Sequence, residues 1–163
     1  MASARDLDNA YLDMAERWGQ LSAARRKKVG CLIVKNGVII SDGYNGTPSG
    51  FSNDCEIIKQ VRGPIMVDDE GEMVEGTYEL ITKPEVLHAE SNAITKLAKS
   101  TQTSAGATMY ITISPCVECS KLIIQSGITR VVFREFYRSQ EAINFLKKAN
   151  IKVEQQCILN SKN

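Results

Sequence analysis

The chain's 163 residues make one domain's length, with enough interior for a hydrophobic core. Hydrophobic residues at 43%, charged residues at 24% and a formal net charge of +1 describe an ordinary globular protein with no electrostatic footprint for long nucleic acid. No window approaches the roughly 18 consecutive apolar residues of a membrane span, and residues 1–10 are too polar for a secretory signal, so the expected location is the cytoplasm. In chain order, residues 6–21 carry Leu7, Ala10, Tyr11, Met14, Ala15, Trp18 and Leu21 at spacings of three and four. That pattern predicts an amphipathic helix with one buried stripe and Trp18 in the core. A basic run, Arg25-Arg26-Lys27-Lys28, follows, and such runs are usually solvated faces. Residues 29–34 and 38–44 are β-rich around Asn36-Gly37, a strong hairpin signal. The second strand enters Gly43-Tyr44-Asn45-Gly46-Thr47-Pro48-Ser49-Gly50, a loop whose composition suits either a plain connector or a close backbone approach to a ligand.

Residues 52–86 are the least readable. Ile65-Met66-Val67 and the segment from Gly76 to Ile81 flank Asp68, Asp69, Glu70 and Glu72, which predicts a hairpin with an acidic, solvated tip. The pattern then becomes regular: helix at 88–99, strand at 107–113, helix at 116–125 ended by Gly127, strand at 129–133, helix at 139–149 capped by Ser139, strand at 151–155. Strands alternating with helices imply parallel pairing in this half, joined to the antiparallel hairpin before it. Residues 160–163 are expected to be disordered.

Two short blocks carry the chemistry. Leu87-His88-Ala89-Glu90 holds the chain's one histidine, and Ser114-Pro115-Cys116-Val117-Glu118-Cys119 holds two of its five cysteines. An imidazole and two thiolates are three ligands for an ion that prefers four, which is the count of a catalytic zinc site with a position open to water. Water on zinc ionises near pH ~7. Glu90, two residues after His88, is placed to move that proton without binding the ion. Pro115 ends a strand and opens a helix, so Cys116 and Cys119 share one face of its first turn. Glu118, between them, faces away and suits the helix N-terminus. The competing readings are a redox Cys-x-x-Cys, which needs neither His88 nor Glu90, and a structural zinc module completed by Cys31, Cys55 or Cys157.

His-Ala-Glu followed by Pro-Cys-x-x-Cys resembles the signature of the zinc-dependent cytidine and deoxycytidylate deaminases, and of their phage-like deoxycytidylate branch in particular. The resemblance covers most of residues 15–155. It implies a single domain over 1–163 of three-layer α/β/α form, with a central mixed sheet of about five strands flanked by helices and a variable insertion around 56–84. Some phage-type relatives hold a second, structural zinc near that insertion with extra histidines. This chain lacks them, so one zinc is expected and Cys55 is expected to be a free thiol.

The resemblance further implies hydrolysis of dCMP to dUMP and ammonia, supplying precursor for dTMP synthesis, in the host cytoplasm if the chain is phage-encoded. Activated water attacks C4 of the cytosine while Glu90 protonates N3 and then the leaving amine. By the same analogy Asn45 contacts sugar and base, the backbone near Ala89 and the carbonyl of Ser114 hold the ring oxygen and the amine, and Arg26 and Lys28 are phosphate contacts. Tyr137 either borders the substrate or simply packs. Relatives form homohexamers activated by dCTP with Mg²⁺ and inhibited by dTTP, with Gly43, Tyr44, Asn45 and Gly46 in the effector region. A deaminase of cytidine, guanine or tRNA adenosine is the alternative within this chemistry. The Asn45 loop and the absence of a basic stripe favour a small nucleotide.

Overall fold

The computed structural model describes residues 2–60, 66–67, 73–74, 78–137 and 140–156. Strand β1 (Gly30–Lys35) turns back into β2 (Val38–Tyr44) through Asn36 and Gly37, whose φ values of 52° and 76° are those of the two-residue turn that Asn-Gly favours. β1 also pairs antiparallel with β7 (Thr108–Ile113), which pairs parallel with β8 (Arg130–Glu135), and β8 with β9 (Lys152–Gln155). The five-stranded mixed sheet therefore runs β2-β1-β7-β8-β9. Successive side chains of its strands point to opposite faces and so divide the core in two. Leu32, Val34, Tyr110 and Val132 meet Leu12 and Ala15 of α1 (Ala4–Gly19). Cys31, Ile33, Met109, Ile111, Val131 and Phe133 meet the other three helices, α2 (Ala89–Leu97), α3 (Val117–Gln125) and α4 (Glu141–Lys148). This is the expected three-layer arrangement. No helix among the described residues is long and apolar enough to cross a membrane.

The first helix forms where its periodicity predicts, but it buries another face. Its sheet side is Asp8, Leu12, Ala15 and Gly19, while Leu7, Met14, Trp18 and Leu21 remain exposed. The cause is polar. Arg130 of β8 grips Asp8 with two hydrogen bonds, at 2.8 and 2.6 Å, and Tyr110 donates to the same carboxylate at 2.7 Å. Arg134 reaches Asn9, Asp13 and Glu16. A buried, forked Arg–carboxylate pair outweighs an apolar stripe in choosing the docked face because leaving either charge buried and unpaired is costly. Trp18 is thus not core; its indole N–H donates to Asp42 at 2.6 Å.

The 52–86 region also differs from expectation. β6 (Tyr78–Thr82) pairs with β3 (Glu56–Gln60), and a separate short pair joins β4 (Met66–Val67) to β5 (Met73–Val74). The predicted partner of the 76–81 segment was the strand near Ile65, but Glu56, Ile57 and Ile58 form the longer apposed ladder. The acidic tip, the Ser139 cap, Cys157 and residues 160–163 lie outside the described residues. Helix α4 begins at Glu141, with Gln140 at its N-cap and no side-chain capping bond.

Candidate active site

Both motif blocks lie where a strand or loop hands over to a helix. His88 is the N-cap of α2 and Cys116 the N-cap of α3. Each helix thereby aims its free N–H groups and positive dipole end at one point. The Nδ1 of His88 lies 3.6 Å from the Cys116 sulfur and 3.4 Å from that of Cys119, and the three ligand atoms fall within 4.8 Å of one another. An ion at usual Zn–S and Zn–N lengths with tetrahedral angles requires S···N edges of roughly 3.6 Å, so the donor set fits zinc in both spacing and softness. Among the described residues no fourth His, Cys, Asp or Glu joins this group, and Cys31 and Cys55 are free thiols elsewhere. That removes two of the three cysteines that could have supplied the fourth ligand of a closed structural site.

The electrostatics agree. A hydrogen bond from the Cys119 thiol, with further ones from His88 and the Cys119 N–H, lowers Cys116 to about 3. The same shared proton, together with burial, pushes Cys119 upward. Glu90, 4% exposed, is pushed up to about 7 by burial. A carboxyl that exchanges its proton near neutrality suits a group that must take and return one.

The β2–loop segment is fastened directly to this helix. A Cβ on Gly43 would sit 2.2 Å from the Ala89 carbonyl, so only glycine lets β2 run this close to the first turn of α2. The Ser41 hydroxyl donates to the Ala93 carbonyl at 2.6 Å, and the Asn92 amide to that of Tyr44 at 3.0 Å. Gly46 and Leu87 exchange backbone bonds of 3.1 and 2.8 Å immediately before His88. The loop is therefore a brace for the metal ligand as well as a wall of the pocket.

A cavity of about 300 Å³ opens beside the three ligands. Its walls include His88, Ala89, Glu90, Ser114, Cys116, Asn45, Arg26 and Tyr137; Cys119 and the effector-region residues Gly43, Tyr44 and Gly46 are not on them, but every expected substrate contact is, save one. Lys28 is the exception: its ammonium points to the Gln20 carbonyl at 3.4 Å, and the cation beside Arg26 on the wall is Lys27, paired with Glu135 at 2.6 Å. Asn45 accepts from the Val29 N–H and donates to the Lys27 carbonyl, both at 2.8 Å, so it holds the basic segment in place. The Ser114 hydroxyl accepts the Tyr137 N–H at 2.8 Å, which gives that side chain a use in placing Tyr137 on the pocket wall. Glu118 pairs with Lys121 on the exposed side of α3, away from the cavity.

A family model for the cytidine and deoxycytidylate deaminase zinc-binding region matches residues 5–135. The chain belongs to this family. Among its deaminase relatives, the deoxycytidylate deaminases of Enterobacteria phages T2 and T4 are 35% and 36% identical, over 89% of this chain and 89% and 87% of their own. The Homo sapiens deoxycytidylate deaminase is 37% identical over 75% of this chain and 64% of its own. A crystal structure of dCMP deaminase from the cyanophage S-TIM5 in complex with dCMP and dUMP is similar with a TM-score of 0.77 and 38% identity, covering 95% of this chain and 100% of that one.

The pocket residues that sequence reasoning missed include Cys55, Glu56, Thr82 and Val86. They lie at or beside the ends of the segment taken as a variable insertion. Glu56 accepts backbone N–H groups from Arg25 and Arg26, residues about thirty positions away, and no local pattern announces a partner at that distance.

Proposed function

We propose that this chain hydrolyses dCMP to dUMP and ammonia. The observation that carries the reading is a cavity of mononucleotide size lined by His88, Cys116 and Glu90, with Cys119 in the same ligand cluster, and also by Arg26 and Lys27. About 300 Å³ is at the small end of ligand pockets and far from the open, basic surface a polymer needs. His88, Cys116 and Cys119 would hold zinc, which when bound supplies water made acidic enough to act as a nucleophile at neutral pH. Glu90 takes a proton from that water and delivers it to N3, so that the cytosine ring accepts an oxygen at C4. It then passes the second proton to the amine, and ammonia departs as the carbonyl of uracil forms.

The remaining groups orient the base. The N–H at Ala89, in the first turn of α2 where no intrahelical acceptor exists, suits the ring oxygen, and the Ser114 carbonyl suits the amine. Asn45 meets the sugar from the loop it braces, Tyr137 closes the side of the pocket, and Arg26 with Lys27 receives the phosphate. Incubating the zinc-loaded protein with cytidine, deoxycytidine, dCMP and dCTP tests the reading. Loss of the amine should be fastest by far from dCMP, whereas equal turnover of deoxycytidine would contradict the phosphate assignment.

The proposal includes assembly of the chain with itself, as a hexamer, in the cytoplasm. The exposed row Leu7, Met14 and Trp18 along α1, continued by Leu21 just past its end, supports a homo-oligomer, since such a row gains from being covered. It also includes activation by dCTP with Mg²⁺ and inhibition by dTTP. A push on Gly43, Tyr44, Asn45 or Gly46 would move Leu87 through the Gly46 bridge and so move His88. Sigmoidal dCMP kinetics made hyperbolic by dCTP would support this control, and indifference to both triphosphates would contradict it.

A further inference from the structure

The carboxylate of Glu56 is 7% exposed and lines the pocket whose cations are proposed to receive a phosphate. A buried anion there opposes the ligand unless its charge is occupied elsewhere. It is occupied: Oε1 accepts the N–H of Arg25 at 3.0 Å and that of Arg26 at 3.2 Å, and Oε2 accepts Arg25 again at 3.1 Å. Thr82 is the register partner of Glu56 across the β3–β6 ladder, and its hydroxyl accepts the Arg26 guanidinium at 3.3 Å. One cross-strand pair therefore grips Arg26 at both ends, Glu56 at the backbone and Thr82 at the head group. The far end of the same segment is tied by Asn45 to Lys27 and Val29, while the Ser22 hydroxyl accepts the Ala24 N–H and donates to the Asn45 carbonyl. Between these ties the basic segment has no regular secondary structure. Its shape comes from side chain to backbone bonds.

We propose that Glu56 is a positioning residue for nucleotide recognition: by fixing the Arg25 and Arg26 backbone it presents the Arg26 guanidinium to the substrate's 5′-phosphate, and so sets the preference for nucleotide over nucleoside. The inference rests on the dCMP reading above. It deepens that reading by giving the ends of the β3–β6 hairpin a part in specificity. Thr82 acts with Glu56, and Glu56 itself touches no phosphate oxygen. Preorganisation of this kind lowers the cost of ordering Arg26 when the substrate arrives.

The test compares dCMP with deoxycytidine in the zinc-loaded Glu56→Gln protein, where the negative charge is gone and one of the two accepting oxygens is replaced by a donor. The ratio of kcat/KM for dCMP to that for deoxycytidine should fall about tenfold, mainly through KM for dCMP, as expected when a charge-assisted tie is lost. Calorimetry should show dUMP losing affinity by a similar factor while deoxyuridine loses far less. In an Arg26→Ala background, Glu56→Gln should cost almost nothing further, because its effect passes through Arg26. An unchanged ratio, or effects of the two substitutions that simply multiply, would overturn the proposal. If Glu56→Gln fails to fold, Glu56→Asp supplies the same ratio with the charge kept and the reach shortened. A smaller fall in the ratio is expected there, and no fall overturns the proposal. Wild-type protein with no preference for dCMP would sink the underlying reading instead, a result visible before any variant is made.

Discussion

The two ends of the pocket are held in place by different means. At the metal end, His88 and Cys116 cap helices whose inner faces are packed into the core, with Ala89, Ala93 and Ile123 fully buried. Side-chain positions there follow from helix packing, and the ligands come from two short stretches of chain. At the other end, Arg26 and Lys27 ride on a segment without regular structure, tied by Glu56, Asn45, Ser22 and Thr82 from four separate places in the sequence. The difference teaches that the reaction chemistry is set by local, rigid elements, while recognition of the substrate's far end is set by long-range polar contacts that are easier to loosen.

Breaking the metal end should have the largest consequence. Cys119→Ala removes a buried ligand, and the purified protein should lose its zinc by elemental analysis and all measurable deaminase activity, since two ligands do not hold a catalytic ion. Retention of a full equivalent of zinc would contradict the ligand assignment. Breaking the other end should leave the ion in place and weaken recognition. Arg26→Ala should raise KM for dCMP roughly 10- to 100-fold while moving deoxycytidine kinetics far less, as expected for loss of a charge-assisted contact. An equal effect on both substrates would place Arg26 at the nucleoside instead.

The smallest effect on the pocket should come from the opposite face of the sheet, where Asp8 ties α1 to Arg130. Burial by itself would raise the Asp8 carboxyl, but hydrogen bonds from Arg130 and Tyr110 and the Arg130 charge hold it below its ordinary 3.8. The folded protein therefore binds fewer protons at this group than the unfolded chain does. Its contribution is complete above about pH 4 and is lost as pH falls through the lower, folded value. Asp8→Asn should cost about 2 to 3 kcal/mol in denaturant melts at pH 7, discounted from a fully buried pair because Arg130 keeps Glu154. The penalty should shrink in acid, with kcat almost unchanged. A penalty that stayed constant down to pH 2 would contradict the depressed carboxyl.

How much of this was readable beforehand follows the same division. The Asn36-Gly37 turn, the alternating second half and the two motif blocks are short-range patterns, and the structure places them as the patterns imply. The buried face of α1 was misread because apolar periodicity does not register a buried ion pair: Asp8 looks like a surface residue until Arg130, 122 positions away, is brought beside it. Lys28 looked equivalent to its neighbours in the basic run, and only the path of the backbone decides that Lys27 lines the pocket and Lys28 caps the end of α1. Glu56 carried no signal at all. Its importance lies in two N–H groups it meets only after the β3–β6 ladder has formed.

The central claim is that three side chains hold the ion while Glu90 moves the protons without binding it. The direct measurement is ammonia release from dCMP by Glu90→Gln carrying its full complement of zinc. The account predicts zinc content equal to wild type with turnover lower by roughly 10² to 10⁴. Wild-type turnover in that variant, or loss of its zinc, would contradict it.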